Sequence, residues 1–149
     1  MNYRTMKLSD LFTIGDMERR IFNDPWSVSS CRGALENPCV HAVVAEDEEG
    51  IAGYAFLMGT QDEAEILRIA VDPDKRRRHI GSALMDELLD YGDNEGYISI
   101  FLEVRESNEA ARALYEQSGF EIIGKRVEYY RNPVEDAVIM ELVYTEDED

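Results

Sequence analysis

Hydrophobic positions along the chain follow two spacings, alternate residues and about 3.6 residues, and the points where one replaces the other mark its elements. Asn2 to Lys7 alternates like a short strand. Ser9 or Asp10 then suits a helix cap, and Leu11, Ile14, Met17, Arg20 and Ile21 recur at helical spacing as far as about Phe22. Pro25 interrupts, and Ser27 can cap a second short helix toward Glu36. Val40 to Glu46 and Ile51 to Gly59 read as strands joined into a hairpin by the acidic turn DEEG, and Ala64 to Val71 reads as a third, closed by Asp72-Pro73.

A helix is expected from about Ile80 to Gly96, with Ile80, Leu84, Leu88 and Tyr91 on one side. Ile98 to Val104 is an apolar strand of the kind buried on both faces. Asn108 to Gln117 forms a further helix, stopped by Gly119, with Ala111, Leu114 and Tyr115 on one flank. Phe120 to Arg131 and Ala137 to Tyr144 end the pattern as strands around the turn NPVED. Leading antiparallel strands followed by a parallel crossover imply an α/β (α+β) architecture, a mixed sheet with helices on both faces.

A length of 149 residues fits one domain, expected over residues 1–144, with an acidic tail at 145–149. The N-terminal stretch MNYRTMKLSD has no apolar signal core, and no apolar run reaches the ~20 residues of a membrane span, so a cytoplasmic location is expected. Cys31 and Cys39 have neither metal-ligand spacing nor histidine companions, so they read as reduced thiols and no metal is expected. The net charge of −17 repels nucleic acid and anionic membranes, which are excluded as broad-surface partners, and is compatible with a basic substrate.

One segment breaks that charge rule. Lys75, Arg76, Arg77 and Arg78 stand in a row before His79, between a strand end and the helix starting near Ile80. A helix N-terminus offers unpaired N–H groups and the positive end of a dipole, and Gly81 and Ser82 allow close backbone approach. The pattern points to phosphate binding, with a solvated basic loop as the alternative. It lacks the GxxxxGK[ST] of a P-loop.

The strand LRIAVDP, the loop RRRHIG and the helix SALMDELL resemble the acetyl-CoA motif of the GNAT acetyltransferase superfamily, a strand leading to Q/R-x-x-G-x-G/A and a helix. Arg76 then holds the first motif position and Gly81 the last, while His79 stands where the superfamily usually has its first glycine. PWS at 25–27, FLEVRESNEAARALYEQSGFE at 101–121 and YYRNPVEDAVIM at 129–140 are similar to the RimI-like N-terminal protein acetyltransferases, although the loop before EDA is short by comparison. The resemblance covers nearly the whole chain. It implies a mostly antiparallel sheet of six to seven strands flanked by about four helices.

It also implies acetyl-CoA as co-substrate and the N-terminal segment of a protein, a ribosomal protein among the candidates, as acceptor. Amide formation from a thioester requires an ammonium to lose a proton, donors for an oxyanion and a proton for the departing thiolate. By resemblance, Glu103 in the apolar strand FLEV is the general base, directly or through water, and Tyr115 is the proton donor to the thiolate. Backbone groups of Ile69, Ala70 and Val71 would meet the pantetheine arm and thioester, and Asn108 would touch the same arm. Residues 76 to 82 (Arg76, Arg77, Arg78, His79, Ile80, Gly81 and Ser82) would hold the diphosphate. Phe22, Trp26, Tyr129 and Tyr130 would wall the acceptor slot, and Glu18 and Glu128 would attract the ammonium, although core packing or a solvated face explains these residues equally well.

No Cys or Ser lies in a motif suited to a covalent acetyl-enzyme, so direct transfer in a ternary complex is expected. Two other readings of the same residues stay open at this level. One is a small-amine acetyltransferase acting on a polyamine or antibiotic; the other is a non-catalytic sensor that binds acetyl-CoA.

Overall fold

The computed structural model describes residues 1–76 and 78–144, so Arg77 and the acidic segment 145–149 lie outside the described residues. The elements come in the expected order: β1 (Asn2–Thr5), α1 (Leu11–Ile21), α2 (Val28–Glu36), β2 (Val40–Asp47), β3 (Gly50–Gly59), β4 (Glu63–Val71), α3 (Ile80–Glu95), β5 (Ser99–Arg105), α4 (Glu109–Gln117), β6 (Glu121–Tyr130) and β7 (Glu135–Val143). Caps set several boundaries. Ser27 Oγ accepts from the Ser30 N–H at 3.0 Å to open α2, and Asn108 Oδ1 accepts from the Ala111 N–H at 3.2 Å to open α4. Gly96 at φ 80° and Gly119 at φ 107° take the left-handed turn beyond α3 and α4.

Two ends differ from the pattern. β1 stops at Thr5 because Lys7 begins a short 3-10 turn, its N–H donating to Asp10 Oδ2 at 2.8 Å. The Asp10 carboxylate also takes two bonds of 2.9 Å from the Arg4 guanidinium, so it faces away from α1 and makes no side-chain cap there. β7 begins at Glu135 rather than Ala137, because Glu135 already pairs with Tyr130 across the turn.

The strands form one seven-stranded sheet in the order β1-β2-β3-β4-β5-β7-β6. Every neighbouring pair is antiparallel except β4–β5, which is parallel and connected through α3. Helices lie on both faces. Ile80, Leu84 and Leu88 of α3 and Tyr115 of α4 pack with Leu102, Val104 and Met140 on one side. Leu11, Ile14 and Met17 of α1 and Cys31 of α2 pack with Val44, Tyr54 and Phe56 on the other. Leu67 is an extra residue in β4, between the pairs Leu57–Ile66 and Phe56–Arg68. Ala64 and Ile66 before this bulge join the α3 core, and Ala70 after it joins the α1 core.

The expectation that β5 is buried on both faces fails. Ile100, Leu102 and Val104 are buried beneath α3 and α4, whereas Phe101, Glu103 and Arg105 are only half-buried. The core under α1 and α2 takes strand residues from β2, β3 and β4 and none from β5. This bare half-face leaves room for chemistry.

Candidate active site

Parallel pairing of β4 with β5 runs only from Glu63–Ser99 to Ile66–Leu102. Beyond it the strands part around a cleft of about 650 Å³ whose walls come from both faces of the sheet. Ile80, Leu114 and Tyr115 belong to the α3/α4 side, and Phe22 and Trp26 to the α1/α2 side.

At one end, Ile69, Ala70 and Val71 line the cleft while their other edge pairs with Ala55, Tyr54 and Gly53 of β3. The strand edge facing the gap thus has unpaired amide groups, which suits an extended amide-bearing arm. His79, Ile80, Gly81 and Ser82 lie at the same end, and α3's bond from the Ala83 N–H to the His79 carbonyl measures 3.1 Å. The N–H groups at 80 to 82 precede that bond and suit an anion. His79 has φ 59°, a left-handed conformation that glycine adopts at lower cost. A Cβ on Gly81 would lie 3.2 Å from Leu114 Cδ2, so any larger residue would press on Leu114 at the mouth.

The structure divides the basic row. Arg76 lines the cleft. Lys75 Nζ is 2.7 Å from Asp47 and 3.5 Å from Glu49, and its side chain is only 10% exposed, so it is a structural cation. The Arg78 guanidinium lies 3.8 Å from Asp47 and is not among the cleft-lining residues. Asn108, at the start of α4, lines the opposite wall.

Glu103 stands on the face of β5 turned away from α3 and α4 and forms an ion pair with Arg126, its carboxylate 2.7 Å from Arg126 Nε. Its neighbour two residues on, Arg105, pairs instead with Asp24 and Glu135. Tyr115 is buried, packed edge-on against Phe120 with ring centroids 6.2 Å apart, and burial pushes its phenol up. Tyr130 is pushed up to about 12, first by burial and then by the Glu103 charge. Tyr129 and Tyr130 meet edge-to-face at 5.1 Å beside Glu103, and Phe22 and Trp26 form the facing wall. The structure therefore gathers every described residue of the sequence-derived site except Arg78, Glu18 and Glu128 around one cleft.

Glu18 is not free to attract an ammonium. It is fully buried and accepts from Arg68 Nη2 at 2.8 Å, Arg68 Nε at 3.1 Å, the Trp26 N–H at 2.8 Å and the Tyr54 hydroxyl. Arg68 also donates to the Asp24 carbonyl at 2.8 Å and lies 3.7 Å from the Phe22 ring centroid, so it fixes the wall that Phe22 and Trp26 form. Glu128 is exposed, at φ 51°, and is not a cleft residue. Sequence reasoning also passed over a clasp at the slot mouth. Asp24 accepts from Arg105 at 2.8 Å and from Asn132 Nδ2 at 3.0 Å, and Arg105 donates to the Pro133 carbonyl at 2.9 Å. The only advance signal for Arg68 was an arginine inside the apolar strand ILRIAV.

A mixed sheet whose two parallel strands part over a helix N-terminus is the scaffold of an acyl-CoA-dependent transferase, and a family model agrees. Residues 8–120 match the acetyltransferase (GNAT) family, so the chain belongs to that family and is an acetyl-CoA-dependent N-acetyltransferase. Among its relatives is the [ribosomal protein bS18]-alanine N-acetyltransferase of Salmonella typhimurium, 36% identical over 139 residues, 92% of this chain and 93% of the relative. The N-alpha-acetyltransferase RimI of Mycobacterium tuberculosis is 36% identical over 138 residues, 89% of this chain and 85% of the relative. The crystal structure of the ribosomal-protein-S18-alanine N-acetyltransferase from Escherichia coli superposes with a TM-score of 0.91 at 32% identity, covering 99% of this chain and 96% of that one. Among the described residues no helix is long and apolar enough to cross a membrane.

Proposed function

We propose that the chain acetylates the N-terminal α-amine of a protein in the cytoplasm, a ribosomal protein being the first acceptor to test. One observation carries the reading: relatives named for that reaction match over about nine-tenths of the chain and of themselves. Residues 1–144 act as one domain. When bound, acetyl-CoA supplies an activated acetyl thioester. Arg76, with the N–H groups of Ile80, Gly81 and Ser82, holds the diphosphate, and His79 lies at the same end of the cleft. The free edge of Ile69, Ala70 and Val71 and the Asn108 side chain hold the pantetheine arm in the gap.

Phe22, Trp26, Tyr129 and Tyr130 wall the acceptor peptide. Glu103, held by Arg126 at 2.7 Å, takes the proton from the arriving ammonium, directly or through one water. Tyr115 then gives its proton to the sulfur as the amide forms. Burial raises a thiol as well as a phenol.

Incubation with acetyl-CoA and a peptide panel, with the acetyl group located by mass spectrometry, tests the acceptor. Modification of the α-amine is expected, and modification confined to polyamines or other small amines would overturn the reading. Glu103→Gln and Tyr115→Phe should each lower kcat about 100-fold with coenzyme affinity unchanged. Wild-type turnover in both would remove their assigned roles. Tyr115 holds its proton beyond the ordinary phenol value of 10.0, so it contributes no alkaline limb to the rate below pH 10.

A further inference from the structure

The acceptor half of the cleft holds a carboxylate that the scheme above does not use. Glu65 registers with Phe101 across the last stretch of β4–β5 pairing, and Glu103 lies two residues beyond Phe101. Paired residues, and those two apart on one strand, share a face, so Glu65 and Glu103 stand on the same bare half-face where the strands begin to part. Both line the cleft, with Tyr129 beside them.

The ion pairing there is uneven. Arg68 is engaged by Glu18, Arg105 by Asp24 and Glu135, and Arg126 by Glu103. Glu65 has no ion-pair or hydrogen-bond partner among the described residues; it feels Glu103 and Arg126 only through space. Three arginines therefore face five carboxylates. Burial, and then the Glu103 charge, holds the Glu65 carboxyl above its ordinary value, the signature of a carboxylate lacking a compensating cation.

An acceptor amine arrives in water as an ammonium and, to reach Glu103, enters the cleft whose lining and sheet face Glu65 shares with it. We infer that Glu65 is the residue that recognises that positive charge, accepting a hydrogen bond from the acceptor's ammonium and delivering it to Glu103. Glu65 is thus a specificity determinant for a cationic acceptor, and Glu103 remains the proton acceptor. No bond is made or broken at Glu65. The inference rests on the proposed entry of the amine through the slot beside Glu103.

The test compares binding of a free-amine acceptor peptide with that of the same peptide already N-acetylated, which has lost the charge. Wild type should prefer the free amine by about tenfold, and Glu65→Gln should lose that preference, with KM for the peptide raised about tenfold, kcat within threefold and CoA affinity unchanged. Glu65→Asp should restore most of the preference. A Glu65→Gln enzyme that keeps the tenfold preference and the wild-type KM would overturn the inference. So would one that loses kcat at constant KM, since Glu65 would then be moving the proton. If wild type acetylates only small amines, the acceptor assignment fails by itself, and the KM of Glu65→Gln for those amines still decides the role of Glu65.

Discussion

Arg68→Met should damage this protein more than its position at the edge of a cleft suggests. Glu18 is 0% exposed, and Arg68 is the cation that compensates it, through contacts of 2.8 and 3.1 Å. Removing one partner of a buried pair costs about 3–5 kcal/mol, because the other charge stays in the interior uncompensated. The Tyr54 hydroxyl and the Trp26 N–H still donate to Glu18 in the variant, which points to the lower end, about 3 kcal/mol. For a chain of this size that corresponds to a fall in melting temperature of roughly 6–12 °C, readable by circular dichroism. Adding Glu18→Gln should recover part of the loss, since a neutral amide is far cheaper to leave in that pocket, and the double-mutant cycle should show about 2 kcal/mol of coupling. A single mutant melting within about 2 °C of wild type would refute the claim that Arg68 compensates a buried charge.

Asp24→Asn tests the contrasting case at the slot mouth. The Asp24 side chain is 38% exposed, so losing its pair with Arg105 should cost under about 1 kcal/mol of stability while raising KM for a peptide acceptor; an unchanged KM would show that the clasp does not shape the slot. His79→Gly relieves a left-handed histidine at φ 59°, and a gain of about 0.5–1 kcal/mol in stability is expected after the entropy of the added glycine. Calorimetry should find CoA bound no more weakly than by wild type, whereas a tenfold loss would show that the imidazole itself grips the diphosphate.

Much of the architecture was legible because each element carries its own punctuation. Ser27, Asn108, Gly96 and Gly119 mark helix ends, and the structure uses all four. The hairpin at DEEG and the order of strands and helices follow from periodicity in the same way. What depends on distant partners was hidden. An apolar run cannot tell that α1 and α2 stop short of β5, nor that Arg126 of β6 pairs with Glu103 there. A row of basic residues cannot tell that Asp47, far away in the chain, claims Lys75 and draws on Arg78. Glu18 looked available because its partners Tyr54 and Arg68 lie 36 and 50 residues away. Of the site, the parts on contiguous motifs were readable, and the charge pairing between motifs was not.

The early end of β4–β5 pairing makes the sheet a partition with a slit in it. A nucleotide-bearing reagent and a polypeptide can approach from opposite sides and touch only at the opening, so neither has to climb over the other to enter or leave. In the proposed assignment the two approaches are also built from different stretches of chain, residues 69–71, 79–82 and 108–115 for one, residues 22–26 and 129–130 for the other. Substitutions that retune which polypeptide is accepted can therefore accumulate on one side while the grip on the nucleotide stays as it was.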